Sequence, residues 1–249
     1  MIVFPMAGQS LRFQNAGYKK PKFMLELGGK SVLHHVVEGF SALFQSEEFM
    51  FIFQNDPKIR SFVMGECERL GLPDPLTAGL DQPTRGQAET VFLGLERTST
   101  GDAEPLTIFN VDTLRPGFCY PATFDLMLID GYLEVFKGSG DGWSFVRPRA
   151  GDGGRVAETA EKNPISDLCC TGLYHFRSAK LFAEAFRAAC DDPGWQLVNG
   201  EYYVAPLYNR LIADGADIRY HLIGENEVEF CGTPAQYEQL QRRQETDDA

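Results

Sequence analysis

The chain has 249 residues, of which 43% are hydrophobic, and its formal net charge at pH 7 is −12. This length and apolar content suit one large α/β domain with a buried core. An acidic chain without a basic stripe argues against general nucleic-acid binding, because that binding depends on neutralising phosphates along the polymer.

Cysteine usage and hydrophobic runs point to the cytosol. The six cysteines show no C-x-x-C pairing and no disulfide-framework density, so we expect free thiols. No signal peptide is evident, and no apolar run approaches the roughly 20 residues that a membrane span needs. The sequence therefore predicts a cytoplasmic protein that binds neither membrane nor nucleic acid. It leaves homo-oligomer formation open.

Apolar runs alternate with amphipathic segments in the first half of the chain. Strands are predicted at residues 2–6, 49–53 and 106–111, and helices at residues 31–44, 59–70 and 86–95. Ser31 is interpreted as a helix N-cap. This βαβα alternation predicts a doubly wound, mostly parallel sheet that binds its ligands at the carboxyl ends of the strands.

The pattern changes after about Asp112. Short strands separated by glycine-rich turns indicate a small β-rich extension of the sheet or a lid, with strands at residues 143–147, 156–161 and 168–176. Further elements are predicted as helices at residues 178–189, 202–213 and from 234, and as strands at 218–223 and near 228. The polar tail over residues 241–249 is expected to be frayed.

The most specific pattern lies in the first 33 residues. A short apolar run leads into the loop AGQSLR at residues 7–12, and the cationic group KKPK follows at 19–22. A strand that leads into small residues and fixed cations is a typical way to hold polyphosphate, because backbone N–H groups can approach the oxygens. A dinucleotide fingerprint would need glycines beyond Gly8, and a P-loop would need a glycine at Met24.

What remains is A-G-x-x-x-R-F followed by P-K-x-x-L-x-x-x-G-K. This pair resembles the signature of the sugar-phosphate nucleotidyltransferase family, which is roughly a strand, A-G-x-G-x-R, P-K and a G-K turn. The resemblance covers residues 2 to about 237 and departs at Ser10, where the family usually has its second glycine. It implies a Rossmann-like, GT-A-like α/β domain over residues 1–240. The nucleotide-binding half would span about 1–115, and the acceptor-binding half about 116–240.

The resemblance implies catalytic roles for two cations. Lys22, the lysine of the P-K pair, and Arg12 would contact phosphates at the reacting centre, because charge stabilisation dominates such transfers. The alternative for each is a solvated surface cation. Ala7 and Gly8 would approach the nucleotide through their backbone.

The run QPTRGQAE at residues 82–89 is similar to the family stretch that reads the nucleobase. Gln82 and Gly86 match it best, and an amide can both donate to and accept from a pyrimidine edge. Helix N-termini favour anions, so one alternative is that Arg85 or Gln87 contacts substrate instead. The other alternative is an ordinary polar helix cap without a role in binding.

A magnesium site is expected at Asp112, which ends the run IFNVD and corresponds to a metal-binding aspartate of the family. Mg²⁺ needs one or two carboxylates and shares its shell with phosphates and water. The family's second carboxylate falls where this chain has Phe230. The adjacent Glu229 is the candidate for that ligand, although it would need a register shift, because neighbours on a strand face opposite ways. Otherwise Asp112, phosphates and water hold the metal.

The acceptor site is expected at Glu161 and Lys162, which resemble the family's E-K-P run with Asn163 inserted. Lys162 would neutralise the acceptor phosphate, and Glu161 would accept hydrogen bonds from its hydroxyls. Gly172 resembles a family glycine where a side chain would block the substrate, and the alternative is a β-bulge. Glu201 would contact the acceptor, or would only favour the dipole of a predicted helix start.

The resemblance implies a Mg²⁺-dependent pyrophosphorylase. Such an enzyme would transfer a nucleoside monophosphate from an NTP, expected to be a pyrimidine NTP, to a sugar-1-phosphate or similar small phosphorylated acceptor. Pyrophosphate would leave, and the product would serve the synthesis of cell-surface or capsular polysaccharide precursors. This mechanism requires Lys22 and Asp112 to share one cleft.

Two other functions stay open. A nucleotide- or sugar-nucleotide-binding regulatory module with impaired catalysis is kept open by Ser10 and Phe230, which depart from the family pattern. A Rossmann-type oxidoreductase is disfavoured, because the glycine fingerprint is missing.

Overall fold

A nine-stranded sheet runs through the computed structural model, which describes residues 1–247 and the side chains of residues 1–244. The strands are β1 (Ile2–Pro5), β2 (Glu26–Leu27), β3 (Lys30–Ser31), β4 (Phe49–Gln54), β5 (Leu76–Leu80), β6 (Leu106–Phe109), β7 (Thr113–Leu114), β8 (Gly131–Lys137), β9 (Ser144–Pro148), β10 (Val156–Glu161), β11 (Leu168–Phe176), β12 (Ile218–Leu222) and β13 (Glu229–Phe230). The α-helices are α1 (Leu11–Asn15), α2 (Val32–Glu38), α3 (Pro57–Leu70), α4 (Gln87–Thr98), α5 (Ala179–Asp191), α6 (Tyr208–Ala213) and α7 (Pro234–Asp247).

The sheet changes from parallel to antiparallel at β11. Its order is β10-β9-β11-β6-β1-β4-β5, and β8 and β12 continue it beyond β11. Strands β5, β4, β1 and β6 are parallel, because a helical crossover separates each from the next along the chain. The β-rich second half is therefore an extension of the same sheet and not a separate lid, and the predicted α/β class is confirmed.

Two helical layers cover the sheet. Helices α2, α3 and α7 pack on one face, and α4, α5 and α6 pack on the other. Strand β1 is buried on both faces: Phe4 stacks on Phe51 with ring centroids 5.2 Å apart, while Val3 belongs to the opposite cluster. Burial on both faces explains why β1 is apolar throughout instead of alternating with polar residues.

Sequence signals within each segment predicted where most helices and strands begin. Ser31 caps α2 by accepting a hydrogen bond from His34 N at 3.0 Å, and Gly71 ends α3 in the left-handed conformation, as predicted. Helix α2 is shorter than predicted, because the chain turns at Gly39, where an added Cβ would lie 2.5 Å from Arg115 O. The apolar spacing beyond this point belongs to a 3-10 turn at Ser41–Leu43.

Strands β5 and β8 of the nine-stranded sheet were not predicted, and neither were the short elements β2, β3, β7 and α1. The sequence of β5, LTAGL, is poor in the β-branched and aromatic residues that favour strands. Strand β8 carries a central Glu134 that is 1% exposed, and Arg115 Nε lies 3.2 Å from its carboxylate. The charge of Glu134 can be buried because Arg115 pairs with it, and sequence pattern does not show that partner.

The second half contains two corrections. Helix α6 begins at Tyr208, not at residue 202, because a 3-10 turn at Ala205–Leu207 precedes it. Helix α7 continues to Asp247, so the predicted fraying of the tail is wrong through residue 247, and residues 248 and 249 lie outside the described part. Gln241 Nε2 donates to Tyr237 Oη at 2.9 Å, while Leu240 is buried against the body of the domain. Among the described residues, no helix has both the length and the apolarity to cross a bilayer.

The buried His175 predicts how stability depends on pH. Burial lowers the pKa of this imidazole to about 3, and Nδ1 lies 2.9 Å from Thr107 Oγ1. The unfolded chain protonates this histidine near pH 6.5, whereas the folded chain stays neutral until about pH 3. The free energy of unfolding should therefore fall by about 1.4 kcal/mol per pH unit from this residue as the pH drops from 6.5 towards 3.

His175→Gln should remove this contribution, so that its stability declines less steeply in acid than that of the parent protein. Urea unfolding at a series of pH values between 7 and 4 measures both slopes. Identical slopes would contradict the assignment, whatever the absolute stability of the variant.

Candidate active site

A cleft of about 930 Å³ lies where β1 and β6 end, at the carboxyl edge of the parallel strands. Segments from both halves of the chain line it. All predicted site residues except Gln82 and Glu229 reach it, namely Ala7, Gly8, Arg12, Lys22, Gly86, Asp112, Glu161, Lys162, Gly172 and Glu201. The predicted residues are therefore brought together from positions as far apart as residues 7 and 201.

Lys22 and Asp112 form an ion pair at the centre of this cleft. Lys22 Nζ donates to Asp112 Oδ2, and the two side chains are 24% and 21% exposed. Incoming phosphate oxygens can therefore reach the ammonium group, and a cation can reach the carboxylate. The requirement that these two residues share one cleft is confirmed.

The turn after β13 holds Asp112 in place. Cys231 N donates to Asp112 O at 2.9 Å. A Cβ added to Gly232 would lie 2.9 Å from Asp112 Oδ2, so this position must lack a side chain for the carboxylate to fit. The G-T-P turn at residues 232–234 thus contributes a packing constraint to the cleft.

The loop after β1 forms despite its departure from the family pattern at Ser10. Ser10 has a φ of 53°, a left-handed conformation that glycine adopts more easily. Its Oγ accepts a hydrogen bond from Lys22 N at 3.4 Å, which links the loop to the P-K segment. Arg12 is exposed at the cleft, and no carboxylate lies within ion-pair distance of it among residues 1–244.

Gly86 joins the two halves of the cleft at the start of α4. Tyr202 N donates to Arg85 O at 2.6 Å, and Ala88 N donates to Tyr202 O at 3.0 Å. Gly86 has a φ of 107°, and a Cβ there would lie 2.6 Å from Tyr202 O. Only glycine allows this approach without displacing one of the two segments.

Gln82 does not belong to the cleft. It is exposed on the loop before α4, and Gln87 instead lines the cleft and donates through Nε2 to Asn110 Oδ1. The prediction erred because residues 81–86 form an irregular loop whose path decides which amide faces inward. Gln87 is one of the amide side chains that line the cleft, together with Gln9, Asn110, Asn199 and Gln236.

Glu161 and Lys162 lie at the end of β10, opposite β9. Glu161 is 9% exposed and accepts a hydrogen bond from Ser144 Oγ. Burial raises the pKa of Glu161, although Ser144 and Lys162 act in the opposite direction. Ser144 and Glu161 are register partners, which explains why their side chains meet.

Lys162 adopts a backbone conformation that is uncommon for a lysine, with a φ of 53°. Its N donates to Trp143 O at 2.8 Å, and its Nζ donates to Tyr203 Oη at 2.5 Å. Burial is the main cause that raises the pKa of Tyr203, and interaction with Glu201 raises it further. The phenol therefore keeps its proton and can donate a hydrogen bond. Left-handed non-glycine residues cluster at functional sites, where surrounding contacts hold them.

Gly172 occupies a β-bulge of β11, which was the alternative interpretation of this glycine from the sequence. Its φ is 98°, and an added Cβ would lie 2.4 Å from Asn110 Nδ2 inside the cleft. Glu201 is exposed at the cleft, in an isolated bridge with Val198. It is not at a helix start, so its predicted favourable dipole interaction is wrong.

Glu229 does not line the cleft that contains Asp112. It pairs with Leu114 between β13 and β7, and its Oε1 lies 3.2 Å from Arg243 Nη1. Phe230 lines the cleft in its place, because consecutive strand residues point in opposite directions and no bulge intervenes. The prediction of Glu229 as a second metal ligand is therefore corrected.

Among known structures, a nucleoside-diphosphate-sugar pyrophosphorylase from Vibrio cholerae RC9 shares 47% sequence identity with the chain at a TM-score of 0.91. The match covers 97% of this chain and 100% of that one. The chain belongs to the sugar-phosphate nucleotidyltransferase family. No family model matches the sequence, and no curated protein matches it significantly.

More distant members share the fold alone. The inositol-1-phosphate CTP transferase from T. maritima is 16% identical at a TM-score of 0.71, with 98% of this chain and 95% of that chain covered. A UDP-glucose pyrophosphorylase complexed with UDP-glucose is 17% identical at a TM-score of 0.74, with coverage of 99% and 98%. The nucleotidyltransferase architecture is therefore preserved across large sequence differences.

The cleft of this nucleotidyltransferase fits Mg²⁺ only as an ion shared with substrate. No group of three acidic, histidine or cysteine side chains converges to form a protein cage in the described part of the chain. Asp112 supplies one accessible carboxylate, and Mg²⁺ commonly takes one or two from a protein together with phosphates and water. The donor set therefore suits Mg²⁺ in this shared mode.

Several residues that line the cleft of this nucleotidyltransferase had no role predicted from the sequence. Trp143, Ser144 and Tyr203 are among them. The strand register that pairs Ser144 with Glu161 was the available signal for one of them. Tyr203 reaches Lys162 only through the tertiary fold, because 41 residues separate them in sequence.

Gly86→Ala should destabilise the protein, because an alanine would have to keep a φ of 107° and would contact Tyr202 O. Backbone strain of this kind costs on the order of 1–3 kcal/mol. The melting temperature should therefore fall by about 2–10 °C in calorimetry.

Gly65→Ala is the matched control, because it lies inside α3 and an added Cβ there meets no atom within 4 Å. Its melting temperature should stay the same or rise slightly, since alanine favours a helix over glycine. Equal melting temperatures for Gly86→Ala and the parent protein would show that the two segments are not tightly apposed.

Proposed function

We propose that this protein is a pyrophosphorylase-type nucleotidyltransferase, which transfers a nucleoside monophosphate from an NTP to a small phosphorylated acceptor such as a sugar-1-phosphate. The observation that carries the proposal is one cleft lined by the Lys22–Asp112 pair, from the segments after β1 and β6, and by Glu161 and Lys162 at the end of β10. The cleft therefore has cations that can bind a triphosphate. It also has a separate cation, Lys162, beside the Glu161 carboxylate, which can accept hydrogen bonds from hydroxyl groups.

The reaction joins the two phosphates directly. A phosphate oxygen of the acceptor attacks the α-phosphorus of the NTP, the new P–O bond forms, and the bond to the β-phosphate oxygen breaks in line with it. Pyrophosphate leaves with that electron pair. The acceptor oxygen is already anionic, so the step needs positioning and charge stabilisation more than proton transfer.

Each cation has a distinct role in this mechanism. Lys22 and Arg12 stabilise the charge that develops on the transferred and leaving phosphates. Lys162 holds the acceptor phosphate near the α-phosphorus and weakens the repulsion between the two anions. Asp112 would hold Mg²⁺, which when bound neutralises part of the phosphate charge.

Our proposal extends to pyrimidine NTPs and to the supply of activated precursors for cell-surface or capsular polysaccharides. Gln87 is compatible with a pyrimidine base, because its amide lies at the cleft beside Gly86 and can donate to and accept from a base edge. The nucleoside-diphosphate-sugar pyrophosphorylase similarity supports the product class. A cytosolic location agrees with an acidic chain whose described cysteines are all free.

A matrix of the four common NTPs against phosphorylated acceptors tests this function. Pyrophosphate release, measured with Mg²⁺ and with EDTA, should appear for one NTP and one acceptor class and should need the metal. Nucleotide binding without pyrophosphate release from any pair would instead support a regulatory binding module. Phe230 is the residue that keeps this alternative open, since Ser10 adopts the conformation that its loop requires.

Lys22→Ala should lower kcat/KM for pyrophosphate release on the order of 100-fold, as for other lost transition-state donors. Lys20→Ala is the matched control, because Lys20 is exposed on the same segment and does not line the cleft. The control should retain near-parental turnover. Full turnover by Lys22→Ala would remove the central catalytic residue of the proposal.

The acceptor KM should depend on pH through Glu161. Burial raises the pKa of this carboxyl above its ordinary 4.5, so it becomes protonated at a higher pH than an exposed glutamate. A protonated carboxyl is a weaker acceptor for substrate hydroxyls, and the acceptor KM should rise as pH falls through this raised pKa.

Glu161→Gln should have a higher acceptor KM that changes less over this acidic range, because only the acceptor phosphate, with a second pKa of about 6, then still titrates. Glu158→Gln, on the same strand but paired with Arg147 outside the cleft, should keep the parental profile. A parental pH profile in Glu161→Gln would show that another group controls acceptor binding.

A further inference from the structure

The ammonium group of Lys162 is held by Tyr203, a residue that the mechanism above does not use. Lys162 Nζ lies 2.5 Å from Tyr203 Oη and 4.5 Å from the centre of the same ring, so the hydroxyl makes the contact. No carboxylate of residues 1–244 lies within ion-pair distance of this ammonium group. The position of the Lys162 charge therefore depends on a hydroxyl group and not on a salt bridge.

A phenol can hold an ammonium group without cancelling its charge. Burial above all, and then Glu201, raises the pKa of Tyr203, so its hydroxyl stays neutral at physiological pH. Lys22 differs in this respect, because its ammonium group is paired with the Asp112 carboxylate. An anionic phosphate that approaches Lys162 therefore meets a full positive charge that is already fixed in place.

Lys162 needs contacts from other residues to keep one position. A lysine side chain has a long flexible stem, so fixing it costs conformational entropy. The backbone of Lys162 has a φ of 53°, a conformation that persists only where surrounding contacts hold it. The bond from Lys162 N to Trp143 O, at 2.8 Å, holds the backbone, and Tyr203 holds the far end of the side chain.

The segment that carries Tyr203 is itself fixed to the start of α4. Tyr202 N donates to Arg85 O at 2.6 Å. The Tyr202 ring is buried against Phe186, with ring centroids 5.4 Å apart, whereas the Tyr203 ring lines the cleft. The hydroxyl of Tyr203 is thus presented to Lys162 by a backbone segment that is anchored on both sides of it.

We propose that Tyr203 is a positioning residue, which holds the Lys162 ammonium group in the cleft so that the acceptor phosphate binds to a cation whose place is already set. Tyr203 acts through Lys162, and no bond to Tyr203 forms or breaks in the transfer. This inference rests on the proposed function, in which Lys162 binds the acceptor phosphate. It adds the residue that orders this cation before the acceptor arrives.

Kinetics of Tyr203→Phe test the proposal, because this variant keeps the ring and removes only the hydroxyl. The acceptor KM should rise roughly 3- to 10-fold, the scale of one hydrogen bond, while the NTP KM stays near its parental value. Tyr220→Phe is the matched control, because Tyr220 is half-buried on β12 and does not line the cleft. The control should keep the parental acceptor KM.

A double-mutant cycle distinguishes positioning from direct contact between Tyr203 and the acceptor. Lys162→Met removes the ammonium group, so adding Tyr203→Phe to it should change the acceptor KM by less than about 2-fold. An equal rise in both backgrounds would show that the Tyr203 hydroxyl contacts the acceptor itself, and would overturn the proposal.

NMR of the lysine ammonium groups gives a readout that does not depend on turnover. In protein labelled with ¹⁵N-lysine, the Lys162 resonance is the one missing from Lys162→Arg. The hydrogen bond should slow exchange of its protons with water, so the resonance should be sharp in the parent protein and broadened or lost in Tyr203→Phe. Inorganic phosphate, used as the probe, should shift it in the parent protein. The resonance of the exposed Lys20 should be the same in both proteins.

The NMR result also decides the case in which Lys162→Met turns over too slowly for a KM to be measured. A Lys162 resonance that is equally sharp in the parent protein and in Tyr203→Phe would show that the hydroxyl does not hold this ammonium group. Absence of the resonance from the parent spectrum would show the same.

The outcomes separate this inference from the proposed function. Pyrophosphate release with a parental acceptor KM in Tyr203→Phe would overturn the positioning role and leave the function intact. Absence of pyrophosphate release from every NTP and acceptor pair, together with a Lys162 resonance that depends on Tyr203, would overturn the function alone.

Discussion

The ion pair between Lys22 and Asp112 is the interaction on which the rest of the cleft depends. A chain with a net charge of −12 repels polyphosphates over most of its surface, so it needs a local cation to hold one. The pair becomes possible because β1 and β6 are neighbours in the sheet, with Ile2 opposite Thr107. The loops that follow these two strands therefore leave the sheet side by side and bring the lysine to the aspartate.

The two halves of the chain are joined by contacts that bury polar groups beside the cleft. Thr113 Oγ1 donates to Thr171 O at 3.0 Å, which ties the segment after Asp112 to the strand that carries Gly172. Thr171 Oγ1 in turn donates to Glu134, whose buried carboxylate pairs with Arg115. A buried pair of this kind is strongly destabilising when one partner is removed, so it holds both segments in a single arrangement.

Sequence patterns predicted the parts of the fold and site that depend on neighbouring residues. Alternating strands and helices predicted the α/β class, and the family resemblance implied that the loop at residues 7–12, Lys22 and Asp112 share one cleft. The cap at Ser31 and the paired residues Glu161 and Lys162 were also recognised. The cap at Ser31 could be predicted because a helix cap is built from residues close together in the chain.

The sequence by itself determined the sheet type, the small-residue loop after β1 and the identity of the charged residues. Only the tertiary structure decided which side chains face the cleft, since β13 directs Phe230 inward and Glu229 towards Arg243, and since the loop before α4 exposes Gln82. The direction in which a side chain points depends on strand register and loop path. Both are set by contacts between residues far apart in sequence. The burial of Glu134 has the same cause, because its partner lies on another element.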